Sequence, residues 1–183
     1  MAGDAKETQL WQGADVYIAP LETAAPIDTT TAWGAGWEAV GLLDGEAGFV
    51  QSREQDTSEH YAWGGKLFRR TSSKHKRSFK FVALEDNDVV FDLVNPGSTR
   101  STTTGVRTST IKTPVAGQKF SVGFELRDGG RTKRRHAAIA EVSEVAEIKE
   151  SENEPTVYEI TVLIFPEADD TLFTEIEDDP ASV

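Results

Sequence analysis

Short runs in which apolar and polar residues alternate dominate the sequence, and a period of two residues is typical of β-strands. The clearest run spans residues 119–127, and every second position in it is apolar: Phe120, Val122, Phe124 and Leu126. Further strands are predicted at residues 16–19, 37–43, 48–53, 66–72, 77–84, 106–112, 131–147 and 157–165. The pattern therefore predicts a mainly β protein.

One segment has a helical period instead. Four apolar residues share one face at helical spacing, namely Val89, Val90, Leu93 and Val94. The polar run 85–88 before them suits a helix N-terminus, because acidic side chains there cap free N–H groups and oppose the helix dipole. Pro96-Gly97 stops the run. We expect a short helix over residues 85–94 that covers one face of a sheet.

A second segment, residues 137–149, has a mixed pattern. Its alanines and glutamates permit a helix. Its recurring valines and isoleucines, and the strand predicted next to it at 157–165, favour a strand, which we predict.

Turn-forming and polar residues mark the connections. Residues 20–35 and 99–104 are predicted to be loops, and Asp44-Gly45 between two strand-like runs indicates a hairpin. Residues 54–65 are polar and end in Gly64-Gly65, which predicts a long loop. The acidic segment 166–183 is expected to fray.

Charge divides the chain into two parts. The net charge is −12, but residues 1–140 carry +1 and residues 141–183 carry −13, with one basic residue against fourteen acidic ones. Basic residues cluster at 66–80 and 131–135. A solvated surface with an acidic tail is the simplest interpretation, and head-to-tail self-association of unlike patches is the second. Nucleic-acid binding is a third interpretation, although the overall negative charge weakens it.

Size and composition narrow the class of protein. A chain of 183 residues is expected to form one domain, 1–183, with two small domains as the alternative. It contains no cysteine, so neither a disulfide framework nor a thiolate metal site is expected. No apolar run is long enough to span a bilayer and the polar start is not a signal peptide, so a membrane protein is not expected.

No catalytic or cofactor motif stands out. The histidines His60, His75 and His136 are not at metal-ligand spacing, and neither a nucleophile elbow nor a phosphate-binding loop is found. We therefore expect no enzyme activity, no metal and no cofactor. Trp33 and Trp63 lie in Gly-rich loops, where each is either an interface anchor or packed under its own loop.

The order of these segments resembles a known family. Residues 45–98 contain the end of the predicted hairpin 42–53, the long loop and two strands that lead into the helix with its Asn95-Pro96-Gly97 stop. Together with the strands at 119–127 and 156–165, they resemble the major tail protein, or tail tube protein, of long non-contractile-tailed phages, particularly those of actinobacterial hosts. The resemblance covers residues 12–165.

This resemblance implies a β-sandwich or small β-barrel with one flanking helix, and flexible termini at 1–11 and 166–183. Family members form hexameric rings that stack into a tube, in which inner strands of neighbouring subunits join around a lumen. The lumen holds the tape measure protein and later conducts the double-stranded DNA genome, and an anionic lumen would keep that DNA from binding. The tail terminator and the distal tail or baseplate proteins are further partners.

The resemblance also implies a contact site. By position, the segment 54–74 is the long loop that reaches the adjacent ring. The contact residues we expect are His60, Tyr61, Trp63, Lys66, Arg69, Arg70 and Lys74. The protein would reside in the virion tail after assembly in the bacterial cytoplasm. The alternative is a β-sandwich binding module, a receptor- or carbohydrate-binding phage component, which predicts surface aromatic residues over a shallow groove.

Overall fold

The computed structural model describes residues 8–179. Within that range the chain forms ten strands and one helix, with every strand pair antiparallel. In chain order these are β1 Gly13–Pro20, β2 Glu38–Ala39, β3 Val50–Tyr61, β4 Leu67–Ala83, α1 Asp88–Val94, β5 Thr99–Thr103, β6 Val106–Thr110, β7 Lys119–Asp128, β8 Arg131–Val145, β9 Tyr158–Ile164 and β10 Thr174–Glu177. The predicted mainly β class with one short helix is confirmed.

The main sheet curls until it closes. Its strands follow the order β2-β1-β7-β8-β9-β4-β3, and β10 pairs with β8. The segment 38–44 joins the two sides of this sheet. The Val40 N–H donates to the Val16 carbonyl of β1 (2.9 Å), and the Asp44 N–H donates to the Val82 carbonyl of β4 (2.9 Å). The result is a small β-barrel.

Aromatic and branched side chains fill the barrel. Phe124 of β7 lies 4.8 Å from Phe79 of β4 between ring centroids, and both side chains are fully buried. Val90 and Leu93 of α1 belong to the same core cluster. The helix therefore packs on the barrel, as its apolar face predicts, and this burial stabilises a helix of only seven residues.

The helix begins three residues later than predicted. Its N-cap is Asn87, whose side-chain oxygen accepts from the Val90 N–H (2.9 Å) while its amide donates to the Val40 carbonyl (2.7 Å). The acids before Asn87 have other partners: Glu85 accepts from the Leu42 N–H (2.7 Å), and Asp86 pairs with Arg100 (2.7 Å). The amide at the cap thus links the helix to the barrel wall.

Strand β7 is buried on both faces, although its alternating pattern predicts one apolar and one polar face. The strap, residues 20–37, covers the polar face. Gly123 lets the strap approach, since a Cβ there would lie 2.2 Å from the Trp33 ring. Ser121 donates to the Ala138 carbonyl (2.8 Å) and accepts from the Thr23 N–H (3.1 Å), so this polar residue is satisfied without water.

Several connections differ from the prediction. The segment 37–43 is a strand only at β2, and the expected hairpin at Asp44-Gly45 is wrong, because β3 pairs with β4. Asp44 instead accepts from the Glu46 N–H (2.8 Å) in a local turn. The predicted loop at 99–104 is also wrong. It is a β5–β6 hairpin whose turn residues Thr104 and Gly105 have φ of 53° and 79°, as a two-residue hairpin turn requires.

The predicted strand at 137–149 is confirmed as far as Val145. The expected fraying of 166–183 is wrong for 166–179, because β10 pairs with β8 and Phe173 packs on Phe79 at 5.3 Å between centroids. The expected flexibility of residues 1–7 and 180–183 concerns positions outside the described residues. In the part of the chain that the structure describes, no helix is long and apolar enough to cross a membrane.

Candidate assembly surface

Strands β3 and β4 continue well beyond the barrel. The pairing of β4 with β9 begins at Arg77, which lies opposite Ile164. We call residues 54–76, which lie beyond that point, the arm. The prediction of an irregular loop at 54–65 is wrong in its secondary structure, because these residues pair across the hairpin from Glu54↔Lys76 to Tyr61↔Leu67. The second strand of this hairpin is predicted at 66–72, but the first is missed, because polar residues occupy both faces of the outer part of β3 and all of residues 54–61 are exposed.

A tight turn forms the tip of the arm. The Gly65 N–H donates to the Ala62 carbonyl (3.1 Å), and the Ala62 N–H donates to the Lys66 carbonyl (2.8 Å). Gly64 has φ of 86°, a conformation that favours glycine. Trp63 sits on this turn with its side chain fully exposed. The glycines therefore present an indole at the tip of the arm, beyond the barrel.

The structure places all seven predicted contact residues on the arm. Six lie near the tip, and Lys74 lies apart at a bulge in the strand pairing, where its φ is 55°. The Tyr61 hydroxyl donates to Glu59 (2.5 Å), and this hydrogen bond raises the pKa of Tyr61. The sequence prediction missed Leu67 and Phe68, which are also exposed near the tip. Two consecutive apolar residues shortly after Gly64-Gly65 are the sequence signal by which they could have been found.

Positive charge is left over at the tip. The arm carries five basic and three acidic residues. The acids are paired across the hairpin, in Lys74–Asp56 (2.8 Å), Lys76–Glu54 (3.6 Å) and Arg70–Glu59 (3.8 Å). Lys66 and Arg69 form no ion pair within residues 8–179. The tip thus combines exposed aromatic surface with two uncompensated positive charges.

The second basic cluster, residues 131–135, does not form a free cationic patch, which corrects one interpretation of the charge pattern. Lys133 pairs with Glu175 (3.0 Å) and Glu177 (2.9 Å) of β10, and Arg135 pairs with Glu175 (2.6 Å). Burial raises the pKa of Glu175, but hydrogen bonds from Arg135 and Lys133 outweigh it, so the pKa is lowered. The acids at the end of the chain therefore neutralise this cluster within one subunit.

Arg134 of the same cluster holds the strap. It donates to Glu125 (2.8 Å) and to the backbone carbonyls of Asp28 (2.7 Å) and Thr31 (2.6 Å). Trp33 donates its indole N–H to Glu125 (2.9 Å). Burial raises the pKa of Glu125, but hydrogen bonds from Trp33, Arg127 and Arg134 outweigh this effect. The pKa is lowered as a result, and the carboxylate stays ionised. Trp33 thus packs under its own loop, whereas Trp63 does not.

Strand register separates the arm from the largest acidic stretch. Strands β4 and β8 both run antiparallel to β9 and are therefore parallel to each other, with Arg77 and Ala140 both opposite Ile164. The arm precedes Arg77 and so extends toward the start of β8. The acidic segment, residues 144–154, follows Ala140 and carries five glutamates and one lysine. The basic arm and the acidic segment thus extend from the barrel in opposite directions.

The outer edge of β3 is also open. Strand β3 ends the order of the main sheet, and within residues 8–179 no strand pairs with its outer edge. A long exposed edge presents unpaired N–H and C=O groups that can pair with another chain.

No group of three or more His, Cys, Asp or Glu residues among the described residues could hold a metal ion. The features of this molecule thus suit contact with other chains.

The sequence was compared with models of known protein families and with curated proteins. The family model described as phage tail tube protein matches residues 1–183. No curated protein sequence matches the chain.

The fold is similar to three solved cryo-EM structures. One is the sheath/tube terminator of the extracellular contractile injection system PVC in its extended state, with 11% identity, a TM-score of 0.49, and coverage of 94% of this chain and 99% of that chain. Another is the sheath-tube complex of that system in its extended state, with 12% identity, a TM-score of 0.45, and coverage of 88% of this chain and 86% of that chain. The third is the tube terminating cap of the anti-feeding prophage, with 12% identity, a TM-score of 0.45, and coverage of 97% of this chain and 100% of that chain.

Proposed function

Because this chain belongs to the phage tail tube protein family, a family of structural tail proteins of the virion and not of enzymes, we propose that it polymerises as stacked hexameric rings into the tail tube. The tube belongs to a long non-contractile tail of a phage of an actinobacterial host, and it is assembled in the bacterial cytoplasm. Its lumen holds the tape measure protein and conducts the DNA genome, and its ends meet the tail terminator and the distal tail or baseplate proteins.

The arm is the observation that carries this proposal. An isolated two-stranded hairpin is marginal in water, and this one exposes Tyr61, Trp63, Leu67 and Phe68 near its tip. Exposed apolar patches of this kind mark interaction sites. A hairpin that extends about 27 Å from Arg53 to Tyr61, at 3.3–3.4 Å per residue, reaches another subunit, where burial of its tip offsets the cost of ordering it. We assign it the contact with the adjacent ring.

The polarity of charge supports stacking. The basic tip and the acidic segment 144–154 extend in opposite directions, so copies arranged head to tail bring unlike charges together. A head-to-tail contact uses two different surfaces on each copy, and such contacts propagate into filaments or close into rings. This geometry supports a tube in preference to a closed two-fold dimer.

The open edge of β3 supports the ring. Edge strands are a hazard unless they are paired or covered, and ring closure pairs them. We therefore assign the outer edge of β3 to the neighbouring subunit of the same ring. The inner strands of the ring would then form one continuous sheet around the lumen.

Electron microscopy of the purified full-length protein at high concentration tests the proposal. Rings or tubes of uniform width are expected, because each subunit carries both halves of the stacking contact. The control is a variant in which residues 55–75 are replaced by Asn-Gly, a favoured hairpin turn, which keeps the barrel and lacks the contact to the adjacent ring. A wild-type protein that stays monomeric even with its tape measure partner would contradict the proposal. Glycan binding by such a monomer would favour the binding-module alternative.

A further inference from the structure

A groove of about 600 Å³ lies between helix α1 and the segment 114–120. Its floor is apolar and is formed by four elements of the barrel and the helix. The floor residues are Ile18, Val89, Leu93, Phe120 and Val142. Val115 borders the groove and is about half exposed. Nothing in the described part of the chain fills this apolar space.

Acidic residues line the rim of the groove. Glu38, Asp92 and Glu141 are part of its lining, and none of them forms an ion pair within residues 8–179, although Glu141 accepts from the Gly117 N–H (3.1 Å). Asp92 lies in the second half of α1, where a negative charge opposes the helix dipole, so it does not stabilise the helix. One basic residue, Lys119, also lines the groove, but its ammonium lies over the Phe165 ring at 4.6 Å. The rim is therefore net acidic.

The groove and the arm lie at opposite ends of the barrel. The groove residues Glu141 and Val142 follow Ala140 on β8, whereas the arm extends from Arg77 toward the start of that strand. An arm that extends in one direction therefore cannot enter the groove of its own subunit. In a head-to-tail stack, the arm of one copy points at the groove end of the next.

We propose that the groove of one copy receives the arm tip of a second copy, with the Trp63 indole on the apolar floor and Lys66 and Arg69 against the acidic rim. This inference rests on the proposed function and names the partner surface of the arm. Trp and Arg are enriched among the residues that carry most interface energy. Within residues 8–179, Lys66 and Arg69 at the tip and the three acids at the rim have no ion-pair partner, so their opposite charges are complementary between copies.

Site-directed crosslinking tests the contact, and the lack of cysteine in the chain makes every introduced thiol unique. Ala62→Cys places a thiol beside Trp63 without removing the indole, and Val115→Cys places one at the groove. Tubes grown from equal amounts of the two tagged variants are treated with a short bismaleimide. The matched control replaces Val115→Cys with Val106→Cys, since Val106 is a similarly exposed valine outside the groove.

Mixed dimers of the Ala62→Cys and Val115→Cys proteins are expected at least about tenfold more often than with the Val106→Cys control. Tubes that form without such dimers, or with equal yields for both valine sites, overturn the groove contact and leave the tube proposal standing. Failure of the wild-type protein to form any ring or tube overturns both.

Charge reversal gives a second measurement. Asp92→Lys and Arg69→Glu are each expected to raise the critical concentration for polymerisation about tenfold, read by light scattering and confirmed by microscopy. The double variant restores opposite charges between copies and is expected to recover most of the loss. Losses that simply add in the double variant contradict a contact between the two sites.

Discussion

Two ion pairs with the same separation show how the barrel differs from the arm. Arg134 and Glu125 of the barrel are 2.8 Å apart with side chains that are 9% and 8% exposed. Lys74 and Asp56 of the arm are also 2.8 Å apart, but their side chains are 80% and 63% exposed. Exposed pairs contribute about 0–1 kcal/mol, whereas removing one partner of a buried pair costs about 3–5 kcal/mol. Burial, and not distance, therefore decides what a contact contributes to stability.

The aromatic residues repeat this contrast. Phe124 is 1% exposed and packs against Phe49, Phe79 and Phe81, whereas Phe68 is 66% exposed on the arm. The barrel buries its own aromatic residues, and this burial within one subunit stabilises it. The arm leaves its aromatic surface exposed, and we propose that another subunit covers it. On that proposal, folding and assembly depend on separate parts of one chain, and mutations can separate them.

The largest expected effect is on the barrel core. Phe124→Ala is expected to lower the free energy of unfolding by about 3–5 kcal/mol, because it removes buried surface and leaves a cavity. The matched variant Phe68→Ala makes the same chemical change on the arm and is expected to alter stability by about 0.5 kcal/mol or less while weakening tube formation. Urea denaturation of the monomer and electron microscopy measure the two outcomes. Equal losses of stability in both variants would show that the arm packs on the barrel.

The buried ion pair comes next. Glu125→Gln is expected to lower the free energy of unfolding by about 3 kcal/mol, because Arg127 and the buried Arg134 lose the carboxylate that neutralises them. Asp56→Asn on the arm is expected to cost less than about 0.5 kcal/mol. Denaturation midpoints of both variants give the comparison. A small effect at Glu125 would mean that the strap does not depend on this pair.

Histidine 136 gives a smaller, pH-dependent effect. Burial lowers its pKa below the usual 6.5, and a hydrogen bond with the Thr23 backbone partly opposes this shift. Its Nε2 is buried and has no hydrogen-bond partner within residues 8–179. Below about pH 6.5 the unfolded chain therefore binds the proton more readily than the folded one, so stability falls as pH falls toward the folded-state pKa. The slope should be lost in His136→Gln and kept in His60→Gln, as urea titrations between pH 7.5 and 5.5 would show. An identical slope in His136→Gln would refute this assignment.

The smallest expected effect on folding accompanies the loss of assembly. Reversal of Arg69 and Arg70 to Glu is expected to change monomer stability by less than about 0.5 kcal/mol, since both side chains are exposed. The same variant should form no tubes, because its tip is now acidic. Salt should weaken stacking of the wild-type protein in parallel, as the screening length shortens to about 3 Å at 1 M. Tubes of normal length from the double variant would exclude the charged tip as the contact.

Sequence periodicity predicted the barrel better than the arm. Strands such as β7 and β9 and the helix α1 have one apolar face that must be buried, so their pattern is readable from local sequence. The outer part of β3 has no buried face, and polar residues on both sides made it indistinguishable from a loop, whereas the outer part of β4 was predicted as a strand at 66–72. The strap was predicted as a loop, but its cover over Gly123 and Glu125 depends on long-range packing that no period records.

The seven expected contact residues were found from their position within a family resemblance and from their residue types. The structure places them on one projecting hairpin, and their contacts with other subunits remain a proposal. The groove was not predictable, because its floor comes from β1, α1, the 114–120 segment and β8, which are distant in sequence. Only closure of the barrel brings these residues together.

By itself, the sequence determined the mainly β class, the helix, most barrel strands and the lack of a catalytic motif, because each follows from local periodicity or residue type. Which basic residues of the two clusters lack an acidic partner depends on the tertiary structure. Residues 131–135 meet the acids of β10 some forty positions later, whereas Lys66 and Arg69 meet none in the described chain. Tertiary structure likewise packed a half-buried Trp33 against Glu125 and left Trp63 exposed. Charge neutralisation and burial depend on which residues distant in sequence become neighbours. The pairing register of the strands determines which residues these are.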